Sequence, residues 1–359
     1  MIPRMNIQQA TRQYETWLAS RVRVVKNDLG TKHELMAQDA FAFLRATFYR
    51  WMQLFPKLCP KAANAPTVLA VGDLHVENYG TWRDTEGRLV WGINDFDEAF
   101  PLPYTIDLVR LAASAWLAIQ RGHLSLVPAH ACAAILEGYT NGLADGGEPF
   151  VLAEKRPLLR EAVTSRLRDP THFWEEFAAL PTISPVPAKV RLMLKRALPE
   201  PQLAFRVAHR RAGLGSRGRE RFTAIANWRG GKIAREAKAL LPSACAWAAG
   251  LAISEIYYSR IVSNAVRTPD PFLVVEGGWV MRRLSPYCSR IELWQLPRGH
   301  DEEKLMRAMG RELANVHLGT RRTVGAVRRD LQQRKLKWLR QATETMTEAV
   351  LKDWKEWRK

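Results

Sequence analysis

The order of apolar and polar positions predicts helices at the start of the chain, followed by short strands and further helices. Apolar side chains crowd one side of a helical segment over residues 5–55. Residues 67–71 and 89–93 are apolar runs bounded by turn-forming residues, a pattern typical of short buried strands. Helical apolar spacing follows over residues 106–118 and again over 130–143. The first part of the chain is therefore predicted to be mainly helical, with a small strand region.

The pattern changes near residue 200, where we place a boundary between two lobes. The stretch before it, residues 144–203, contains several prolines and is predicted to be a connection. Five short β-like runs separated by turn signals then predict a small antiparallel sheet, with a helix over residues 244–259 packed on it. The five runs are residues 205–209, 221–226, 232–238, 271–276 and 278–283. The final helices are predicted from Asp301 to Leu318 and from Thr323 to Trp357.

Composition limits the class of protein. The chain has 359 residues, 47% of them hydrophobic and 25% charged, which is ordinary globular composition. Its four cysteines are widely spaced, so neither a disulfide framework nor a zinc site is indicated. Residues 1–17 lack the apolar core of a signal peptide, and no run has the length of a membrane span. We therefore expect a soluble, cytoplasmic protein that has no membrane partner.

The net charge is +18, from 54 Lys and Arg against 36 Asp and Glu. Much of the excess lies in residues 206–221 and 321–337. Such a balance favours polyanions or phosphorylated ligands. No nucleic-acid readout motif accompanies the charge, so nucleic-acid binding, if present, is expected to be unspecific.

Polar side chains follow the two predicted strands at the points where they end. Asp73 and Asn78 follow the first strand, and Asp95 follows the second. Residues 81–88 predict a hairpin that brings Asp95 back beside Asn78. Phosphoryl transfer uses an aspartate to orient or deprotonate the nucleophile, and an Asn with an Asp to hold Mg²⁺. The same residue types also serve as caps and Asx-turns, so the prediction of a site rests on the whole set.

A glycine-rich segment, Gly213-Leu-Gly-Ser-Arg-Gly218, lies between the first two β-runs of the predicted sheet. Glycines allow the close backbone approach that a phosphate cradle needs, and also make tight hairpins. A flap between two strands is the arrangement of a kinase and disfavours a dinucleotide site, which would run from strand to helix. Gly213, Gly215, Ser216 and Gly218 are therefore candidate nucleotide-binding residues.

A kinase places a phosphate-binding lysine on the strand after this flap, and a carboxylate from the next helix pairs with it. Lys238 and Arg235 compete for the first role, and Glu255 is the candidate for the second. Each of the three can also be explained as a solvated charge on a strand or helix face.

In combination, these residues resemble the bacterial domain-of-unknown-function 2252 family, itself similar to aminoglycoside phosphotransferases and other protein-kinase-like enzymes. Gly72-Asp-Leu-His-Val-Glu-Asn78 resembles their catalytic loop, and Asp95-Phe-Asp97 resembles the metal-binding Asp-Phe-Gly segment. Asp107-Leu-Val109 resembles the downstream Asp-Leu-Ala. The resemblance implies Asp73 as catalytic base, Asn78 and Asp95, with Asp97, as Mg²⁺ ligands, and Asp107 as a brace for the loop.

The chain departs from the kinase pattern in two ways. Its glycine-rich segment follows the catalytic loop, and Glu312-Leu-Ala-Asn-Val-His317, which resembles the helix before that loop, lies near the C-terminus. The expected fold is thus an α+β, protein-kinase-like, two-lobed fold in circularly permuted order. Residues 1–200 would form the helical lobe, 201–290 the β-rich nucleotide lobe, and 291–359 the helices that complete the first. Secondly, Arg235 stands where the family often has Lys, and its planar, permanently charged fork suits a different geometry.

The leading functional hypothesis is an ATP- and Mg²⁺-dependent phosphotransferase that acts on a small hydroxylated molecule or a protein. Nucleotidyl transfer is a close variant. The main alternative is a catalytically inactive protein that binds nucleotides or polyanions. A metallophosphoesterase is a further alternative, because Val71-Gly-Asp-Leu-His75 resembles its first metal motif. The further histidine ligands that such a site needs are not evident, so His75 is predicted to brace the loop.

Overall fold

The computed structural model describes residues 5–152, 160, 169–288 and 302–359. Some of the predicted features fall outside these residues. They are the helix start at Asp301, the boundary at 290–291, the first residues of the N-terminal segment and part of the predicted connection. The described chain combines helices with antiparallel sheets, which confirms the α+β class. No helix within the described ranges is both long enough and apolar enough to cross a membrane.

Five helices open the described part of the chain, in the region where the apolar spacing predicts mainly helical structure. They are α1 (Ile7–Ala19), α2 (Lys26–Gln38), α3 (Ala40–Ala46), α4 (Phe48–Leu58) and α5 (Pro60–Ala63). A capping box starts α1, in which the Asn6 side chain and the Gln9 backbone N–H bond at 2.8 Å. The buried residues of α2, namely Asp28, Lys32 and Met36, are four positions apart and form one stripe that faces the interior.

The strand region that follows forms two small antiparallel units. Strands β1 (Thr67–Ala70) and β4 (Phe100–Pro103) pair with each other. The predicted hairpin is formed by β2 (Tyr79–Arg83) and β3 (Leu89–Ile93), with β5 (Phe150–Val151) beside β3. Because Tyr79 pairs with Ile93, the residue before β2 and the residues after β3 lie at the same end of the hairpin.

Helices α6 (Thr105–Gln120) and α7 (Pro128–Asp145) form the centre of the main core, with α12 (Glu302–His317) against α7. Glycines allow this last close approach: a methyl group on Gly138 would collide with the backbone of Arg307, and one on Gly310 with that of Ile135.

The second sheet has five strands, and all five predicted runs are confirmed. They are β6 (Arg206–Ala208), β7 (Arg221–Trp228), β8 (Gly231–Ala239), β9 (Val274–Glu276) and β10 (Trp279–Leu284). Their order across the sheet is β6-β7-β8-β10-β9, and every neighbouring pair is antiparallel. Helices α8 (Pro170–Ala178) and α9 (Ala188–Ala197) cover it with apolar side chains. The predicted connection before residue 200 therefore contributes helices to this sheet.

Two predicted helices are interrupted. The helix over residues 244–259 is instead two short ones, α10 (Ala244–Ala248) and α11 (Tyr258–Asn264), because Gly250 takes a left-handed conformation (φ 65°) after the cap of the first. The predicted helix over residues 323–357 begins as a 3₁₀ turn (Arg321–Thr323) and continues as α13 (Val324–Gln333) and α14 (Trp338–Trp357). It breaks at Arg334, whose backbone is extended and whose guanidinium bonds to Asp330 and Tyr104.

Candidate functional site

Asp107 at the start of α6 holds the loop that follows β1. Its two carboxylate oxygens accept hydrogen bonds from the backbone N–H groups of Val71 and Gly72, at 2.7 and 2.8 Å. His317 at the end of α12 lies 3.0 Å from the same carboxylate, and the other nitrogen of its ring lies 2.8 Å from the hydroxyl of Tyr139. The carboxylate is fully buried. Asp107 therefore occupies the position expected of a brace.

Asp73 is fixed by Arg110, a residue that the sequence analysis did not single out. Arg110 Nε donates to Asp73 Oδ1 at 2.8 Å, and its Nη2 donates to the same oxygen and to the carbonyl of Leu44. The guanidinium is fully buried and lies over the rings of Phe48 and Trp51. The sequence does contain a signal for this residue, because Arg110 lies one turn after Asp107 in a helix that is otherwise mostly apolar.

Asn78 links the ends of the two predicted strands. Its side-chain N–H₂ group donates to the carbonyl oxygens of Asp73, at 3.3 Å, and of Asp95, at 3.1 Å. Its Oδ1 is buried and has no hydrogen-bond partner among the described residues. The structure thus brings Asp73, Asn78 and Asp95 together, as the hairpin predicts.

Lys238 on β8 contacts both acidic residues of the Asp-Phe-Asp segment. Its Nζ lies 2.7 Å from Asp97 Oδ1 and 3.3 Å from Asp95 Oδ1. Burial lowers the pKa of Lys238, and the two carboxylates oppose that shift. Burial and the neighbouring Asp95 likewise raise the pKa of Asp97, against Lys238 and Arg219. Of the two basic candidates, Lys238 is the one that the fold brings to the site.

Two candidate residues lie elsewhere. Arg235 has the opposite orientation on β8, because side chains alternate along a strand, and it donates to the carbonyl of Ala197 at 2.9 Å and lies over Phe272. Glu255 is 55% exposed in the segment between α10 and α11 and faces Arg260 at 3.9 Å. The predicted pairing of Glu255 with Lys238 is therefore wrong, because the broken helix leaves Glu255 at the surface.

The glycine-rich segment, residues 213–218, lies directly over Asp73. A Cβ on Gly215 would be 3.2 Å from Asp73 Oδ2 and 3.1 Å from the carbonyl oxygen of Arg45. Gly213 and Gly218 have φ values of 70° and 92°, which favour glycine. The buried Ser216 accepts a hydrogen bond from Arg221 at 3.2 Å. All four candidate residues of the segment are thus at or beside the site.

Arg219 ties the end of this segment to the acidic cluster, an arrangement that the sequence analysis missed. It donates to Asp97 at 3.3 Å and to Glu98 at 3.0 Å. Glu98 also accepts hydrogen bonds from Ser243 and from the backbone N–H of Ala244. Burial raises the pKa of Glu98, and Arg219 opposes this shift.

A cleft of about 1220 Å³ opens beside these residues, between the five-stranded sheet and the helical part. Nine arginines and Lys238 line it, against six carboxylates. Glu236 at its wall is held by Arg210, at 2.7 Å, and by Arg221. Although burial acts in the opposite direction, these arginines lower the pKa of Glu236 to about 2. Part of the basic segment 206–221 therefore lines a cavity suited to an anionic ligand.

The oxygen atoms of Asn78, Asp95 and Asp97 are a donor set that suits a hard divalent cation. The Nδ1 atom of His75 accepts a hydrogen bond from the backbone N–H of Glu77 at 3.2 Å, as expected of a loop-bracing residue. Across the described ranges, no three His, Cys, Asp or Glu side chains are grouped to hold a metal ion. The geometry therefore gives no support to a metallophosphoesterase centre.

Comparison with protein-family models finds a match over part of the chain. The model of a family described as "Uncharacterized protein conserved in bacteria (DUF2252)" matches residues 23–171. This range includes Asp73, Asn78, Asp95, Asp107 and Arg110, but neither the glycine-rich segment nor Lys238. No curated protein and no solved structure matches the chain. Over residues 23–171, the chain is therefore similar to this bacterial family.

Proposed function

We propose that this protein is an ATP- and Mg²⁺-dependent phosphotransferase that acts on a hydroxyl group of a small molecule or a protein. One observation carries the proposal: Asp73, Asn78 and the Asp95–Asp97 pair converge with Lys238 beneath the glycine-rich segment. Phosphoryl transfer requires these groups together, namely a carboxylate for the hydroxyl, oxygen ligands for the metal and a cation for the phosphates.

The topology supports a protein-kinase-like fold in circularly permuted order. The sheet order places the glycine-rich segment between the first two strands and Lys238 on the third. Helix α12 follows the whole five-stranded sheet in the sequence, yet His317 at its end reaches the Asp107 brace. A permuted chain retains the spatial site while its termini move.

The basic cleft would hold the nucleotide. Its cationic lining favours the phosphates, and Lys238, at the inner end near Asp95, would contact them as a point charge. Asn78, Asp95 and Asp97 would hold Mg²⁺, and the otherwise unpartnered Oδ1 of Asn78 is an oxygen that such an ion would satisfy. When bound, the metal would neutralise negative charge on the transferred phosphoryl group.

Asp73 would accept the proton of the attacking hydroxyl. Burial raises the pKa of Asp73 and Arg110 opposes this, so its carboxylate is a stronger base than an exposed aspartate. The two hydrogen bonds from Arg110 to Oδ1 fix the orientation of the carboxylate, with Oδ2 on the side of Gly215. Transfer of a nucleotidyl group would use the same residues.

A second candidate function is nucleotide or polyanion binding without catalysis. The proximity of Gly215 to Asp73 favours it, since in this conformation the loop occupies the side from which a hydroxyl would approach. The two proposals differ in turnover rather than in binding.

Thermal unfolding with ATP, with and without Mg²⁺, tests the proposed site, because a ligand that binds the folded state raises its stability. We expect a Mg²⁺-dependent rise in the wild type that Asp95→Ala abolishes. Glu86→Ala is the control, since Glu86 is exposed in the turn of the same hairpin. Unchanged calorimetric affinity of Asp95→Ala for Mg·ATP would contradict the proposal.

ADP formation in wild type and Asp73→Asn then separates the two candidate functions. Loss of turnover with retained binding supports catalysis by Asp73. Equal ADP formation in both proteins would remove Asp73 from that role.

A further inference from the structure

A second, smaller cavity of about 50 Å³ lies beneath the glycine-rich segment, with room for only a few atoms. Asp73, Asn78 and the Asp95–Asp97 pair line it together with residues 213–216. It shares Asp95, Gly213 and Leu214 with the basic cleft, so the two spaces adjoin. The opposite wall comes from the N-terminal helices and includes Tyr14, Tyr49 and Lys32.

Lys32 is the unexplained group in this cavity. Its side chain is part of the buried stripe of α2, and the residue is only 3% exposed. Within the described residues, no carboxylate lies within ion-pair distance of its Nζ, and no hydrogen bond to it is found. A largely buried lysine whose ammonium group has no anionic partner is unfavourable, and a bound anion would relieve this cost.

The four carboxylates that line the cavity contact three other cations. Arg110 pairs with Asp73, Lys238 with Asp95 and Asp97, and Arg219 with Glu98. Lys32 adds a positive charge to this cavity without pairing with any of the four carboxylates. Burial lowers the pKa of Lys32 to about 8; Glu15 on α1, Asp73 and Glu98 oppose this shift, and Arg219 reinforces it.

Helix α2 is held firmly against the glycine-rich segment, which keeps Lys32 in place. The backbone N–H of Val25 donates to the carbonyl of Gly218 at 2.9 Å. One turn before Lys32, Asp28 contacts His209 at 2.8 Å and Arg211 at 3.0 Å. Lys32 is therefore part of a fixed wall of the cavity and is not a mobile side chain at the surface.

We propose that the small cavity binds a phosphoryl oxyanion and that Lys32 is its ligand. This inference rests on the proposed function, since Asp73 makes this the place where a phosphoryl group and an acceptor would meet. The oxyanion could come from two sources, namely the terminal phosphoryl group of the nucleotide or a phosphate on the acceptor. Either would supply the anion that Lys32 lacks.

The test compares Lys32→Met with Lys26→Met, an exposed lysine at the start of the same helix. Thermal shifts are measured with inorganic phosphate alone, with Mg·ADP, with Mg·ATP, and with Mg·ADP plus phosphate. A charge-assisted hydrogen bond corresponds to about a tenfold to hundredfold change in affinity. If Lys32 binds the terminal phosphoryl group, Mg·ATP raises the unfolding temperature of the wild type and of Lys26→Met more than Mg·ADP does. In Lys32→Met the two nucleotides then give equal thermal shifts.

If Lys32 binds an acceptor phosphate, phosphate added alone or with Mg·ADP stabilises the wild type and Lys26→Met but not Lys32→Met. Responses of Lys32→Met that equal those of the wild type in all four conditions would overturn the inference. No response to any nucleotide in the wild type contradicts the proposed function instead, and phosphate alone still tests the cavity. Should Lys32→Met not fold, Lys32→Gln replaces it with the same expectations.

Discussion

Lys238 and Asp97, which lie far apart in the sequence, meet at 2.7 Å, where the five-stranded sheet faces the hairpin of β2 and β3. Asp95 lies 3.3 Å from the same ammonium group. The contact joins the two parts of the proposed site, and it places a positive charge between the carboxylates that would hold a metal ion. A divalent cation, if bound as proposed, would therefore compete with Lys238 for Asp95 and Asp97.

We predict that Lys238→Met lowers stability and changes the response to Mg²⁺. Loss of one partner from a buried ion pair costs about 3–5 kcal/mol in free energy of unfolding. Mg²⁺ alone should then stabilise the variant more than the wild type, because both carboxylates lack a counter-charge, whereas the response to Mg·ATP should be lost. Urea unfolding measures both effects. Lys232→Met, at an exposed position of the same strand, should change stability by less than about 0.5 kcal/mol.

Gly215→Ala is predicted to destabilise the observed position of the glycine-rich segment over Asp73. The added methyl group would lie 3.2 Å from Asp73 Oδ2 and 3.1 Å from a backbone oxygen, so the segment must move. Such overpacking typically lowers the free energy of unfolding by about 1–3 kcal/mol.

Gly231→Ala is the matched control, because a Cβ there meets nothing within 4 Å. We expect Gly231→Ala to cause no loss of unfolding free energy. It should instead raise the unfolding free energy by up to about 1 kcal/mol, because the unfolded chain becomes less flexible. Equal effects of the two substitutions would show that the contact with Asp73 is unimportant. If Mg·ATP lifts the segment, its presence should reduce the penalty of Gly215→Ala.

Asp107→Ala should destabilise the loop that carries Asp73. The substitution removes the acceptor for the N–H groups of Val71 and Gly72 and the partner of His317, all of them buried. We expect a loss of about 3 kcal/mol or more in unfolding free energy. Hydrogen exchange of the Val71 and Gly72 amides should also accelerate relative to amides of the five-stranded sheet. Asp145→Ala, which breaks an exposed pair with Arg311, should cost less than about 1 kcal/mol.

The stability difference between wild type and Lys32→Met should depend on pH in a defined direction. The folded-state pKa of Lys32 is about 8, below its ordinary value of 10.5. The unfolded chain therefore binds the proton more strongly, so this group makes folding less favourable below pH 8, and that cost disappears as pH rises from about 8 to 10.5. Lys32→Met should be more stable than the wild type near neutral pH, by up to roughly 3 kcal/mol.

This advantage should vanish by about pH 10.5, and Lys26→Met should show no such dependence. A difference that stays constant between pH 7 and 10.5 would mean that Lys32 does not carry this shifted pKa.

Local pattern predicted much of the fold and part of the candidate site. Strand pairing and alternation are short-range properties, so the hairpin that joins Asn78 to Asp95 and the five strands of the second sheet followed from the sequence. The helix over residues 244–259 did not, because Gly250 ends it where apolar residues continue. Lys238 and Arg235 could not be separated with certainty until the two faces of β8 were known.

The sequence by itself determined the α+β class, the positions of most elements, and the set Asp73, Asn78, Asp95 and Asp107, because these depend on periodicity and on the spacing of a few neighbouring residues. Only the tertiary structure decided that Arg110 fixes Asp73, that Glu255 stays at the surface and that Lys32 lines the inner cavity. The reason is physical: which charges are buried, and which partners they find there, depends on helices and strands far apart in the chain packing against one another.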